Sequence, residues 1–325
     1  MATDPENQDK VKALGRREQR GPQIVSCFGY HPWFAHRYTL HPGISKTEHY
    51  RTIFPKLSAA QAELLETLLP FLPEPLAFQD LLFRLRRDLS DSVKEGRMTM
   101  LGEVGLDGAA RVRWPHMSEN EDEDGSTKTR LTPFKTTMTH QISILKAQLE
   151  IAVELGVNIS LHCVAAAGPT FDVLLDLRNR HRAQFTNRLN VDVHSGGGFS
   201  PEMWRSIEKN FTNVYASPSI FITSRSPSGS KFIASVSADR LLVESDSDDV
   251  RVSSRLVWAA ASWIADIKGW KLEDDTTEKW AEVDSERDEF DKKGRLRSVP
   301  DVERWTVRTS EQNWKRFMRL EQRST

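Results

Sequence analysis

Along most of the chain, short apolar runs alternate with stretches of helical period. Six runs, each β-branched or apolar and bounded by turn residues, predict buried strands: Gln23 to Phe28, Met98 to Val104, Val157 to His162, Leu189 to His194, Asn213 to Ser217 and Arg240 to Glu244. The clearest helix follows Pro133, where Met138, Ile142, Leu145, Leu149 and Ala152 recur at spacings of four and three and so share one face. Gly156 suits its C-terminal cap. Further helices are predicted for Ala59 to Leu69, stopped by Pro70, and for Phe78 to Leu89, Pro201 to Lys209, Ser254 to Ile267 and Ser310 to Leu320. Such alternation implies an α/β protein with parallel strands joined by right-handed crossovers, either a (β/α) barrel or an open doubly wound sheet. Periodicity alone does not choose between them.

Three segments read as decoration. The acidic run Ser118 to Arg130 is too polar to bury, Leu272 to Lys293 is rich in Asp, Glu and Lys, and the tail up to about Gly21 is charged. No internal repeat is present. At 325 residues and 38% hydrophobic content, one large α/β domain spanning the chain is the expectation.

Composition narrows the function classes. With 45 basic and 46 acidic residues the net charge is -1, so any nucleic-acid contact has to be local rather than a broad basic surface. Cys27 and Cys163 are the only cysteines and lie in apolar runs, the pattern of reduced, buried thiols. No stretch is long and apolar enough for a membrane span and the start has no apolar core, which points to a cytoplasmic or nuclear location and no membrane partner.

The candidate chemistry lies where polar residues stop the apolar strands. Glu103 and Asp107 close one, His162 the next, His194 another, and Glu244 and Asp246 the last. In a parallel barrel all strand C-termini open on one face, so Glu103, His162, His194 and Asp246 would share a mouth. Two imidazoles with carboxylates suit zinc or another divalent ion such as manganese, which would acidify a bound water for hydrolysis. Each residue alone has a plainer reading: a strand-end His as an ordinary hydrogen-bonded residue, Glu103 as the partner of a basic side chain. Four on successive or near-successive strand ends favour a site. His31, in the turn Gly29-Tyr30-His31-Pro32-Trp33, is placed as a substrate contact, the alternative being an ordinary turn with Trp33 packed beneath it. His36, His41 and His49 lack metal-ligand spacing and are read as surface residues.

The motifs GYHPW, GEVGLD, NIS followed by LHC, HSGGG followed by SPEM, LLVESD and the closing SEQNWKRFM occur in the order found in TatD-related deoxyribonucleases, and from about Val11 to Leu320 the chain resembles that family. The wording GYHPWF, LHCVAAAGP and HSGGGFSPEM is most similar to a fungal branch described as partners of an anaphase-promoting-complex subunit. The resemblance implies a (β/α)8 TIM-type barrel of the metal-dependent hydrolase kind, acting on phosphodiesters of DNA in a 3′–5′ exonuclease-like manner with one or two divalent ions (Mg, Mn or Zn). It further implies that Glu103 is a ligand shared by the metals, that His162 and His194 complete one metal site, and that Asp246 binds the other metal or the attacking water. Glu103 and Asp246 thus become the catalytic carboxylates, His31 a contact of the substrate phosphate, and Asp107 and Glu244 groups that support the ligands.

One feature departs from the family. Its members begin with a strand ending in an H-x-H pair, and this chain has no H-x-H. Asp9 to Arg20 resembles the helix before the family's third strand, so the expectation is a barrel without its first two strands and two of its ligands. Three functions follow: a metal-dependent deoxyribonuclease, a non-catalytic interaction protein on a degenerate barrel whose partner is a cell-cycle ubiquitin-ligase subunit, and a hydrolase of amide or lactone bonds on the same scaffold.

Overall fold

Apolar residues that run continuously rather than alternating are buried on both faces of a parallel sheet. The run Thr99–Asp107 behaves this way, with Met100, Leu101, Val104 and Leu106 all buried. The computed structural model describes residues 1–17, 24–115, 131–196, 198–273 and 301–320. The acidic run Ser118 to Arg130 and nearly all of Leu272 to Lys293 therefore lie outside the described residues. The chain divides into two compact units, Met1–Leu189 and Asn190–Thr325.

The first unit contains strands β1 (Ser26–Phe28), β2 (Tyr38–Thr39), β3 (Leu76–Ala77), β4 (Thr99–Asp107) and β5 (Asn158–Val164). Its helices are α1 (Pro5–Gly15), α2 (Lys46–Ile53), α3 (Ala59–Leu68), α4 (Phe78–Lys94), α5 (Met138–Leu155), α6 (Ala167–His181) and α7 (Ala183–Arg188). Parallel pairing runs in the order β1, β4, β5, while β2 and β3 form a separate parallel pair. Between Leu101 and Val104 the β4 register against β5 slips by one residue, so Glu103 sits in a bulge. A bulge re-aims a side chain and strengthens local twist. Beyond it Gly105 pairs with His162, and a Cβ at Gly105 would lie 2.0 Å from the His162 carbonyl oxygen. Only glycine allows that approach.

Helix α5 ends at Gly156 in a left-handed cap (φ 67°), as the sequence predicts. Its buried face, however, carries Gln141 and Gln148 beside Ile144, Leu145, Leu149 and Ala152, with Ile142 only partly covered. The two glutamines are one heptad apart and act alike. Gln148 accepts from the Tyr30 N–H (2.8 Å) and donates to the Tyr30 carbonyl (3.1 Å), and Gln141 does the same at Asp107 (2.8 and 3.0 Å). Each amide thus completes the backbone hydrogen bonding of one residue, Tyr30 just past β1 and Asp107 at the end of β4. A second apolar cluster, including Tyr50, Phe54, Leu65, Leu68, Val112 and Phe134, holds α2, α3 and the segment after β4 together.

In the second unit β6 (Val191–His194) pairs in parallel with β7 (Val214–Ser217). Helices α8 (Pro201–Asn210), α9 (Gly229–Ser235) and α10 (Val250–Lys268) follow, then the helix Thr306–Met318. The expected strand Arg240 to Glu244 is not formed as such. Ala238–Arg240 is a 3-10 turn, and only isolated parallel bridges join Leu241 to Ala216 and Glu244 to Ser219. Pro218 explains the break: two residues beyond Ala216 it is the next donor toward the Leu241 segment, and it has no N–H. The other five predicted strands are present within two or three residues of their expected limits, all in parallel sheets. Among the described residues no helix is long and apolar enough to cross a membrane.

Candidate metal centre

At the end of β4, Glu103 and Asp107 flank the imidazole of His162 from β5. His162 Nδ1 lies 2.8 Å from Glu103 Oε1 and Nε2 lies 3.1 Å from Asp107 Oδ2. Burial opposes the protonated ring, but the hydrogen bonds with Asp107 and Glu103 outweigh it and raise the His162 pKa. Asp107 is the better-anchored carboxylate. Trp33 Nε1 donates to its Oδ2 (2.8 Å), and the N–H groups of Ala109 and Ala110 donate to its Oδ1 (2.8 Å each). Burial pushes the Asp107 carboxyl up, yet donation from His162 and Trp33 holds it down at about 2.

His31 completes this cluster, with Nε2 3.4 Å from Glu103 Oε1 and its ring centroid 4.3 Å from that of His162. Its role follows from its tautomer. His31 caps the 3-10 turn Pro32–Arg37, its Nδ1 accepting from the Trp33 N–H at 3.1 Å. Burial lowers its pKa, so the ring is neutral and the proton sits on Nε2, facing Glu103. In this arrangement His31 offers Glu103 a hydrogen bond rather than offering a lone pair to a cation.

The second unit repeats the motif with other parts. His194 Nδ1 is 2.7 Å from Glu244 Oε2, and Nε2 is 3.0 Å from Asp246 Oδ1. Ser195 ties the two carboxylates together: its N–H donates to Glu244, and its hydroxyl lies 2.7 Å from Asp246 Oδ2 and 3.0 Å from Glu244 Oε1. Ser195 and Asp246 both adopt left-handed backbone (φ 51° and 52°). Non-glycine residues hold that conformation only where surrounding contacts impose it, commonly at functional sites. Asp192, two residues before His194 on the same face of β6, accepts from the Ser217 hydroxyl at 2.6 Å.

Potential ligand atoms of His31, Glu103 and His162 lie within 4.8 Å of one another, as do those of Asp192, His194 and Glu244. Each His is bracketed by two carboxylates, so in each cluster acceptor oxygens outnumber the imidazole donors, in partly buried surroundings. Carboxylate oxygen and imidazole nitrogen in that ratio suit a divalent cation, and the residues present fit one. Glu103, His162 and Asp107 stand together in the first unit, and His194, Glu244 and Asp246 in the second. Asp107 and Glu244 touch the histidines directly.

One reading of the sequence is corrected, that of the loop histidines. His49 is not at the surface: it is 2% exposed, with Nε2 2.9 Å from the His36 carbonyl, and His36 is half-buried, whereas His41 is exposed as expected. Trp33 is half-exposed and anchors Asp107 instead of packing beneath its turn. The sequence reading also passed over Ser195, Asp192 and Gln141. The D-x-H alternation of Val191–His194 and the heptad spacing of the two glutamines were the available signals.

The sequence profile of the family described as TatD related DNase matches residues 1–281, and the chain belongs to that family. Its mostly parallel α/β architecture is the class expected from the strand–helix alternation, and the family is metal-dependent. Among its relatives is the Cut9-interacting protein scn1 of Schizosaccharomyces pombe, 26% identical over 309 residues, covering 85% of this chain and 87% of the relative. A Saccharomyces cerevisiae protein described as an uncharacterized deoxyribonuclease is 26% identical over 249 residues, covering 76% and 73%. Among solved structures, the TatD homologue YjjV of Escherichia coli is similar at 16% identity with a TM-score of 0.45, covering 82% of this chain and 76% of that one.

Proposed function

We propose that the chain is a metal-dependent hydrolase of DNA phosphodiester bonds working in the cytoplasm or nucleus, with Glu103 and His162 as metal-binding residues in the first unit, His194 and Asp246 as those in the second, and Glu103 and Asp246 as the catalytic carboxylates. The observation that carries the proposal is the repeated arrangement in which a strand-end imidazole stands between two carboxylates, His162 between Glu103 and Asp107 and His194 between Glu244 and Asp246. Family membership and the deoxyribonuclease description of one relative support the substrate class. A divalent ion (Mg, Mn or Zn) supplies Lewis acidity when bound, drawing electron density from a phosphoryl oxygen and acidifying a nearby water. The protein's own groups do the rest. Glu103 is held for ligation by His31 Nε2–H, and the same proton would turn to the substrate phosphate once Glu103 is engaged by metal. Asp246, oriented by the Ser195 hydroxyl, takes the proton from the attacking water; as the water oxygen bonds to phosphorus the bond to the leaving sugar oxygen breaks, and that oxygen takes a proton from solvent. Asp107 and Glu244 keep the two imidazoles in place.

The test is cleavage of an end-labelled oligonucleotide with added manganese or magnesium, combined with elemental analysis of the purified chain. Bound divalent metal with cleavage that is lost in Glu103→Ala supports the proposal; metal-independent cleavage, or none by the wild type, sinks it. A second reading has its own observation, the match over most of its length to a protein named for interacting with Cut9. The chain would then act as a partner of an anaphase-promoting-complex subunit. Inactivity with retained metal binding favours that reading.

A further inference from the structure

Beside Asp107 the first unit has a cavity of about 440 Å³. Trp33, Phe34, Leu131 and the arginines Arg37, Arg111 and Arg113 line it. How Arg111 and Arg113 come to face it is a matter of register. Val112 is 4% exposed and packed in the cluster with Tyr50, Phe54 and Phe134, its N–H bonded to the Phe134 carbonyl (3.0 Å) and its carbonyl to the Thr132 N–H (2.9 Å). In extended backbone, burying the middle residue sends both neighbours to the opposite side. Both arginines are exposed, and the Arg113 to Leu131 bridge fixes the edge of the segment.

The aromatic wall is held as firmly. Trp33 has half its surface exposed, while its indole N–H is fixed to Asp107 Oδ2 at 2.8 Å. A rigid, exposed indole is a stacking platform for a base. Guanidinium groups match phosphate in planar, two-pronged fashion and also stack on bases. One carboxylate, Asp107, joins this cavity to the His162 cluster, and its Oδ1 also organises the turn at Ala109 and Ala110 that helps line the cavity.

We propose that this cavity is a nucleotide subsite: it takes the base of the nucleotide next to the scissile bond against Trp33 and that nucleotide's phosphate on Arg111 and Arg113. It rests on the deoxyribonuclease reading for the identity of the natural ligand but not for the binding itself. An overall charge of -1 fits such a plan, since recognition is confined to a few arginines at one pocket rather than spread over the surface.

The experiment is calorimetric titration of the full chain, with manganese present, using 5′-dAMP, deoxyadenosine and inorganic phosphate as separate probes. Expected are measurable binding of dAMP, clearly weaker binding of each fragment, and a loss of about tenfold in dAMP affinity for each of Arg111→Ala and Arg113→Ala, the effect of one charge-assisted contact. Arg111→Lys should recover part of the loss. Wild-type affinity in both alanine variants, or deoxyadenosine binding as tightly as dAMP, overturns the subsite. If the wild type cleaves no DNA with any divalent metal, the hydrolase reading fails while an arginine-dependent dAMP affinity still upholds the pocket.

Discussion

The two carboxylate-bracketed histidines are alike in outline and unlike in construction. Around His162 both carboxylates come from one strand, Glu103 from a bulge and Asp107 from the last position of β4, and both ends of Asp107 are anchored, its side chain by Trp33 and its backbone by Gln141. Around His194 both carboxylates come from the segment after the Leu241 bridge, and a single hydroxyl residue, Ser195, joins them. Exposure follows: the side chains of His162 and Asp107 are 10% and 5% exposed, those of Glu244 and Asp246 18% and 24%. A cluster built from ladder and buried amides is rigid and costly to disturb, whereas one built from turns and hydroxyls adjusts at lower cost.

The largest expected contrast is in stability. His162→Ala removes a donor shared by Glu103 and Asp107; His31 still faces Glu103, and Trp33 with the Ala109 and Ala110 N–H groups still holds Asp107, so the cost should be about 2–3 kcal/mol, at the lower end for a broken buried pair. His194→Ala, among more exposed groups, should cost less than half as much by the same reasoning. Urea unfolding of the metal-free protein measures both, and equal losses would erase the distinction. Next comes Gln141→Leu. It strips the buried N–H and carbonyl of Asp107 of their partner at about 1–3 kcal/mol for an unsatisfied group, and should weaken metal uptake in parallel. An unchanged unfolding midpoint would show that another group takes over.

Ser195→Ala sharpens the other half of the comparison. Its N–H to Glu244 remains while its hydroxyl contacts are lost, so the fold should hold and affinity for manganese should fall by about 10–100-fold, as for other groups that orient metal ligands. Competition against a fluorescent chelator reads this directly; a large drop in stability with unaltered affinity would reverse the assignment. A further effect is one of pH and lies in the first unit. Burial lowers His140 to about 4, its Nε2 facing the carbonyls of Ala35 and Tyr38. Unfolded, it titrates near 6.5, so between those values the unfolded chain holds the extra proton and stability falls as pH drops from about 6.5 to 4. His140→Gln should flatten that slope in urea midpoints measured across the range, and an unaltered slope would exclude His140 as its source.

Much of this was legible before any coordinates. Apolar β-branched runs halted by a charged or imidazole side chain mark parallel strands and the polar groups that end them, which is why Glu103, His162 and His194 stand out by position. Helix α6 is not among the predicted helices: Gly168 and Pro169 in its first turn are helix breakers elsewhere, although Thr170, Val173, Leu174 and Leu177 form its buried face. Proline is tolerated there, where its N–H would be unpaired anyway. The Arg240 to Glu244 run has strand character, but the missing N–H of Pro218 lies on another segment, and a local pattern holds no information about a partner's donors. Ser195 was hidden for a similar reason, since a serine before glycines looks like any turn until the carboxylates it joins are seen.

The paired amides of Gln141 and Gln148 also bear on how the first unit opens. They lie on one face of one helix, so a roll of α5 by a single residue, about 100° for an α-helix, would pull both away together. The N–H groups of Tyr30 and Asp107, at the ends of different strands, should therefore exchange with deuterium at one common rate set by the undocking of α5, not at the separate rates of two fraying strand tips.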